Sequence, residues 1–106
     1  MMATMETVVH IHPLDVYTRL RRGEKLQVID VREPEEVAYG KIPGAKNIPL
    51  GQLPLRVHEI DPRVETVLVC RSGARSAWAC AWLMASGFRK VKNMLGGMNA
   101  WNWDVD

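Results

Sequence analysis

The feature that most constrains the fold is an alternation between short β-branched runs and segments with a helical pattern. The predicted strands are residues 8–11, 28–31, a very short one near 47–48, 67–69 and 91–94. The predicted helices are residues 13–20, a short one beginning at 33–36, one or two turns within 54–60, 76–85, and a terminal one around 98–103. Strands that alternate with helices pair in parallel through right-handed crossovers, with helices on both faces of the sheet. The sequence therefore predicts the α/β class.

The length of the chain and the absence of linkers predict a single domain. The chain has 106 residues, of which 47% are hydrophobic and 25% are charged, a size and balance typical of one small globular core. It has no internal repeat, no low-complexity tract and no Pro/Gly/Ser-rich linker. We therefore predict one domain over residues 1–106.

Charge and hydropathy limit the partners and the location. The net charge is +2, with no dense Lys/Arg run, which argues against a nucleic-acid partner. Residues 1–10 lack a basic region followed by a long apolar stretch, so no secretory signal is visible. The longest apolar run, 77–88, is shorter than the about 20 residues that a membrane-spanning helix needs. We expect no membrane partner and a cytoplasmic location.

The two cysteines, Cys70 and Cys80, do not make a disulfide framework. The chain has no Cys-x-x-Cys pattern, and its histidines lie far from both cysteines in sequence, so we predict no structural metal site. Cys80 shares a helical face with Ala77, Ala81 and Met84, which predicts a buried and inert thiol. The alternative is that Cys80 acts as a resolving thiol for Cys70.

Cys70 is the candidate nucleophile, because it stands where the predicted strand 67–69 passes into a helix. Functional groups in parallel α/β sheets gather at the carboxyl ends of strands. Amides near the helix N-terminus, a nest of donors within residues 72–74, and the charges of Arg71 and Arg75 are all expected to lower the pKa of this thiol. The same cradle would hold a persulfide anion or an oxyanion such as thiosulfate.

Plainer interpretations of this loop stay open. Cys70 is alternatively an inert, buried small hydrophobe, and Arg71 and Arg75 are alternatively solvated charges. Ser76 is predicted to be the N-cap of its helix, with its hydroxyl also near the anion that the loop would hold.

Three segments resemble the sequence patterns of the rhodanese family. The first is Asp-Val-Arg-Glu-Pro-Glu-Glu at residues 30–36, followed by Gly-Lys-Ile-Pro-Gly-Ala-Lys-Asn-Ile-Pro at 40–49. The second is Val-Cys-Arg-Ser-Gly-Ala-Arg-Ser at 69–76, and the third combines Gly-Phe at 87–88 with Leu-Gly-Gly at 95–97 and Trp101. The resemblance spans most of the chain and implies a three-layer α/β/α sandwich around a five-stranded parallel sheet.

The resemblance also implies a thiosulfate sulfurtransferase type of activity through a persulfide on Cys70. A donor such as thiosulfate supplies the sulfur, and cyanide or a thiol accepts it; a protein donor or acceptor is a further possibility. Such nucleophilic chemistry requires no metal and no organic cofactor. The residues implied to bind the substrate are Arg71, Ser72, Gly73, Ala74, Arg75 and Ser76. Lys41 stands where the family often has His, which bears on substrate preference unless Lys41 is an ordinary surface lysine.

Residues outside the loop carry supporting predictions. Asp30, at the end of the neighbouring strand, either holds the active loop in shape, through a hydrogen bond or a pair with an arginine there, or caps the helix after Pro34. Arg32 and Glu36 are interpreted as a structural ion pair.

Four tryptophans lie in the C-terminal third of the chain. Trp78 and Trp82 are spaced i, i+4 and are predicted to pack in the core; exposed, they would mark a contact patch. Trp101 and Trp103 are predicted to close the domain with the C-terminal helix.

Two other functions remain as alternatives to sulfur transfer. Cysteine-dependent phosphatases and arsenate reductases related to this fold carry Cys, five residues and then Arg. Arg75 comes one place too early after Cys70, so the loop is one residue too short for a tetrahedral oxyanion. The second alternative is a non-catalytic interaction module, although such domains usually lose the cysteine that is present here.

Overall fold

The computed structural model describes residues 4–106. Residues 1–3, which belong to the predicted domain and to the N-terminal segment 1–10 without a visible secretory signal, lie outside the described residues. No helix within the described part of the chain is long and apolar enough to cross a membrane.

A five-stranded parallel sheet forms the centre of the molecule, with the strand order β1-β5-β4-β2-β3. The strands are β1 His10–Ile11, β2 Gln27–Asp30, β3 Lys46–Asn47, β4 Thr66–Val69 and β5 Val91–Met94. All four residues of β4 are buried, because helices cover both faces of the central strand. The carboxyl end of β4 is therefore enclosed by its neighbours on both sides.

Helices pack on both faces of the sheet, as the predicted α/β/α sandwich requires. The helices are α1 Pro13–Arg21, α2 Pro34–Val37, α3 Leu53–Arg56 and α4 Ala74–Ala85, with short 3-10 helices at Met5–Thr7, Leu50–Gln52, Val57–Glu59 and Gly97–Ala100. On one face, Val16 of α1 shares a core cluster with Val67 and Val69. On the other, Leu83 of α4 shares a second cluster with Leu68. Alternate residues of β4 thus supply opposite cores.

The two ends of the chain differ from the predictions. The first strand contains only His10 and Ile11 instead of residues 8–11, and a 3-10 helix at Met5–Thr7 precedes it. The predicted terminal helix around 98–103 is wrong: only the 3-10 helix Gly97–Ala100 forms. Trp101 already has extended backbone, and its indole Nε1 donates to the Asp104 carbonyl oxygen at 2.9 Å.

Helix α4 starts earlier than predicted, and this changes the role of Ser76. Gly73 occupies the N-cap position with φ +102°, a left-handed conformation that glycine adopts without steric cost. Ser76 is therefore the third helical residue and not the N-cap, so its hydroxyl is available to other groups.

The tryptophans divide between surface and core. Trp78 is 65% exposed, so the prediction that it packs in the core is wrong, whereas Trp82 is partly buried against the core cluster beneath α4. Trp101 is buried and packs edge-on against Trp103, which stacks on Tyr17 with ring centroids 4.6 Å apart. The C-terminal tryptophans close one face of the molecule, but from an irregular segment.

Candidate active site

Cys70 follows the last residue of β4, and the chain then turns within three residues into α4. Gly73 makes this tight turn possible, and its backbone N–H donates to Cys70 Sγ at 3.0 Å. The Ser76 hydroxyl lies 3.2 Å from the same sulfur. The loop therefore directs donors at one sulfur atom, as the sequence predicts for a strand-to-helix junction.

These donors explain the acidity of the Cys70 thiol. Burial raises its pKa, but hydrogen bonds from the Ser76 hydroxyl and from the backbone amides of Ser76, Gly73 and Ser72 outweigh burial, so the pKa is lower than the ordinary value. Each of these bonds stabilises the thiolate more than the thiol. The site thus favours a nucleophilic sulfur.

The two loop arginines face a carboxylate. Arg75 binds Glu36 with two hydrogen bonds of 2.7 Å each, and Arg71 Nε lies 3.8 Å from the same carboxylate. The bond from Arg75 and a second from the Glu33 amide lower the pKa of Glu36 to about 2, so Glu36 is ionised at neutral pH. Glu36 offsets part of the charge of the arginines, and the leading causes that lower the pKa of Cys70 are hydrogen bonds from Ser76, Gly73 and Ser72.

Cys70 has no solvent-exposed surface. The next two residues of the loop, Arg71 and Ser72, are exposed. In this conformation the sulfur is therefore shielded from solvent.

Asp30 and Arg32 form an ion pair, which differs from the pairings predicted for either residue. Arg32 Nη2 lies 2.7 Å from Asp30 Oδ2, Arg32 Nε also donates to that carboxylate, and both residues are buried. Arg32 Nη2 also donates to the Gly40 carbonyl oxygen at 2.8 Å. Asp30 therefore neither bonds the active loop nor caps α2, where the Glu33 and Glu36 capping box takes that role.

The interpretation of Arg32 and Glu36 as an ion pair is wrong. The Glu36 carboxylate faces Arg75. Arg32 contacts Glu36 through its backbone carbonyl oxygen, at 3.4 Å, and not through its carboxylate. Each of the two acidic residues, Asp30 and Glu36, could in principle bind any nearby arginine. The tertiary structure decides which arginine each carboxylate binds.

The segment after β5 forms backbone hydrogen bonds with the active loop. The amide of Met98 donates to the Cys70 carbonyl oxygen at 2.8 Å, and the amide of Asn99 donates to that of Arg71 at 3.0 Å. Gly97 lies so close that a Cβ there would overlap both carbonyl oxygens. The Gly-Gly pair is part of a sequence motif, but only the fold brings Gly97 into contact with the loop.

Two residues next to the site carried no recognisable sequence signal. Asn93 of β5 is buried, and its Oδ1 accepts a hydrogen bond from Ser76 Oγ. Its Nδ2 lies 3.2 Å from Nδ1 of His10. A single Asn inside a short strand does not by itself predict a polar contact with a residue of a helix.

Cys80 is fully buried, as its helical face predicted. Burial raises the pKa of its thiol to about 12, and both cysteines are free. A protonated thiol in an apolar core is a poor nucleophile. This favours the inert interpretation over the resolving one.

Lys41 contacts the C-terminal end of the described chain. Its Nζ lies 3.1 Å from Asp106 Oδ2, and the Asp106 amide donates to the Lys41 carbonyl oxygen at 2.9 Å. These contacts fit the interpretation of Lys41 as an ordinary surface lysine.

Comparisons with known proteins identify the family and the fold of the chain. The family model "Rhodanese-like domain" matches residues 13–103. The chain is 45% identical to a protein of Allochromatium vinosum named "Sulfurtransferase", over 78% of each chain. It is 32% identical to "Thiosulfate sulfurtransferase GlpE" of Pseudomonas putida, over 84% of this chain and 81% of that one. A rhodanese-like domain protein from Staphylococcus aureus superimposes with a TM-score of 0.87 at 32% identity, covering 93% of this chain and 97% of that one.

Proposed function

Because the chain belongs to the rhodanese-like domain family, we propose that it is a sulfurtransferase that carries sulfane sulfur as a persulfide on Cys70. The observation that carries the proposal is the set of donors directed at one sulfur atom, from the Gly73 amide at 3.0 Å and the Ser76 hydroxyl at 3.2 Å. Relatives named as sulfurtransferases support the same class of reaction.

The proposed reaction has two displacements. The Cys70 thiolate attacks the outer sulfur of thiosulfate, the bond between the two sulfur atoms of the donor breaks, and sulfite leaves with the electron pair. The product is a persulfide anion in the same amide cradle. Cyanide or a thiolate then attacks the outer sulfur and leaves the Cys70 thiolate behind. The loop of Arg71, Ser72, Gly73, Ala74, Arg75 and Ser76 is proposed to bind the donor and the persulfide.

Each group around the sulfur has a place in this reaction. The amides of Ser72 and Gly73 and the hydroxyl of Ser76 stabilise the anion before and after sulfur transfer. Arg71 is 68% exposed, so it is the guanidinium that meets an incoming anionic donor. Asp30 is proposed to support the site indirectly, since it fixes Arg32 against the Gly40 carbonyl.

Mass spectrometry of the intact protein tests the proposal. Treatment with thiosulfate is expected to add the mass of one sulfur atom per chain, and cyanide is expected to remove it with release of thiocyanate. Cys70→Ala should abolish the adduct, and the matched variant Cys80→Ala should keep it, because the Cys80 thiol is buried and protonated. No adduct and no turnover in the wild type would contradict the proposal.

The enclosure of the sulfur favours one competing function, the non-catalytic interaction module. Cys70 is fully buried, and a sulfur that never opens to solvent could not react with a donor. Iodoacetamide labelling of the native protein separates the two. Selective alkylation of Cys70, faster at neutral pH than for an ordinary thiol, supports the enzyme, whereas an unreactive Cys70 supports the module.

A further inference from the structure

A row of hydrogen-bonding groups leads from the Cys70 sulfur through the protein to His10. Ser76 Oγ lies 3.2 Å from Cys70 Sγ and also contacts Asn93 Oδ1. Asn93 Nδ2 lies 3.2 Å from His10 Nδ1. Ser76 is fully buried and Asn93 is 3% exposed. Each of these polar atoms therefore relies on its neighbours in the row for a partner.

Ser76 has one hydroxyl proton and two neighbouring acceptors. When Cys70 is a thiol, its S–H can donate to Ser76 Oγ, and the hydroxyl is free to donate to Asn93 Oδ1. When the sulfur is an anion, the hydroxyl is needed at the sulfur, and Asn93 Oδ1 loses its donor. A buried carbonyl oxygen without a donor is unfavourable. The charge of the sulfur is thus coupled to the Asn93 amide.

An asparagine can resolve this conflict because its amide carries both an acceptor and a donor. A half-turn of the amide places Nδ2 beside Ser76 Oγ, where it donates, and Oδ1 beside His10 Nδ1. Neutral imidazole can carry its proton on either nitrogen. His10 is exposed, so its other nitrogen can bond to water in either tautomer. The hydrogen bonds between Ser76, Asn93 and His10 can therefore be donated in either direction along the row.

We propose that Asn93 is a positioning residue whose amide sets the direction of the Ser76 hydroxyl and lets it turn toward the sulfur when the sulfur carries charge. Asn93 acts only through Ser76 and does not touch the sulfur. The purpose of this arrangement rests on the proposed function, since sulfur transfer requires Cys70 to pass through both thiolate and persulfide anions. The hydrogen-bond coupling itself exists whether or not sulfur is transferred.

Alkylation of Cys70 by iodoacetamide as a function of pH tests the coupling. Asn93→Asp introduces an acceptor that cannot donate, so the Ser76 hydroxyl stays on the carboxylate. The Cys70 pKa is expected to rise by roughly one unit. The matched control is Asn99→Asp, which adds the same charge at an exposed residue of the segment whose backbone contacts the loop. It is expected to shift the pKa by less than about 0.3 unit because solvent screens an exposed charge.

The same substitution in a Ser76→Ala background isolates the hydroxyl. There the effect of Asn93→Asp should fall to less than half, since only its through-space charge remains. An unchanged effect, or no effect of Asn93→Asp in either background, would overturn the proposal. If Asn93→Asp does not fold by circular dichroism, His10→Phe provides the second test. It removes the donor that the turned amide needs and should raise the Cys70 pKa in the same direction; an unchanged pKa would overturn the proposal.

These measurements use no sulfur donor, so they fail independently of the proposed function. Coupling without persulfide formation would reject the sulfurtransferase and keep the role of Asn93. Persulfide formation without coupling would reject the role of Asn93 alone.

Discussion

Neutral donors set the acidity of Cys70. The guanidinium of Arg75 is occupied by Glu36 at 2.7 Å, and the sulfur receives its bonds from amides and from the Ser76 hydroxyl. A hydrogen bond to a charged acceptor contributes about 1.5–3 kcal/mol. Short, oriented donors in a buried site therefore matter more than formal charges that are already paired.

Ser76→Ala is expected to raise the pKa of Cys70 by roughly one unit, because the thiolate loses its side-chain donor. The rate of iodoacetamide alkylation as a function of pH measures this change. Ser72→Ala is the matched control, since Ser72 contributes through its backbone amide, which the substitution keeps. Equal shifts in the two variants would show that the hydroxyl of Ser76 has no special role.

At the scale of elements, the active loop depends on the turn that follows β5. Gly97 has φ +56° and lies against the carbonyl oxygens of Cys70 and Arg71. Gly97→Ala should cost roughly 2–4 kcal/mol of unfolding free energy, since it adds a steric overlap to the left-handed strain. Gly23→Ala is the control, because Gly23 has φ +76° but open space around it, and it should cost only about 1–2 kcal/mol.

Urea unfolding of the two glycine variants checks this prediction. A similar loss in both would show that backbone strain alone matters at Gly97. The alkylation rate of Cys70 should also change in Gly97→Ala and not in Gly23→Ala, since only Gly97 contacts the loop.

The ion pair of Glu36 and Arg75 joins α2 to α4 and makes stability depend on pH. The pKa of Glu36 falls to about 2 in the folded protein because Arg75 binds its ionised form. The pair therefore stabilises the fold fully above the unfolded-state pKa of about 4.3, and this contribution is lost as the pH falls toward 2. Its size is about 1 kcal/mol, since Arg75 is partly exposed and solvent screens the pair.

In Glu36→Gln, the stability should fall less between pH 5 and about pH 2 than it does in the wild type. Thermal unfolding at a series of pH values measures it. Glu35→Gln, at the exposed neighbouring position of α2, is the control and should leave the pH dependence as it is in the wild type. Parallel curves for the wild type and Glu36→Gln would contradict the assignment of the ion pair.

At the scale of the whole molecule, residues 4–106 form two core clusters, one on each face of the same sheet. Leu68 packs toward α4, whereas Val67 and Val69 pack toward α1, so a single strand contributes to both clusters. Neither cluster can lose its packing without exposing that strand. We therefore expect the two faces to unfold together in one transition.

Two single-tryptophan proteins test this cooperativity. One keeps Trp82, in the α4 cluster, and the other keeps Trp101, in the α1 cluster, with the remaining tryptophans replaced by Phe. In each protein, the urea midpoint from fluorescence should equal the midpoint from far-ultraviolet circular dichroism. A fluorescence midpoint that differs from the circular-dichroism midpoint of the same protein would show that one face unfolds alone.

The sequence by itself determined the α/β class, the place of Cys70 and the burial of Cys80. Local patterns suffice for these three predictions. Side-chain periodicity indicates which face of a helix or strand is buried, and a glycine-containing turn after an apolar strand indicates where the strand passes into a helix. The extent of the domain and the roles of the loop residues remain predictions of that sequence.

The tertiary structure decided the polar partners. Asp30 binds Arg32, Glu36 binds Arg75, and Ser76 lies between Cys70 and Asn93. The chain offers several carboxylates and arginines at similar spacings, so sequence distance does not select among them. The partner of a long polar side chain depends on positions set by the packing of distant elements, and no local pattern carries that information.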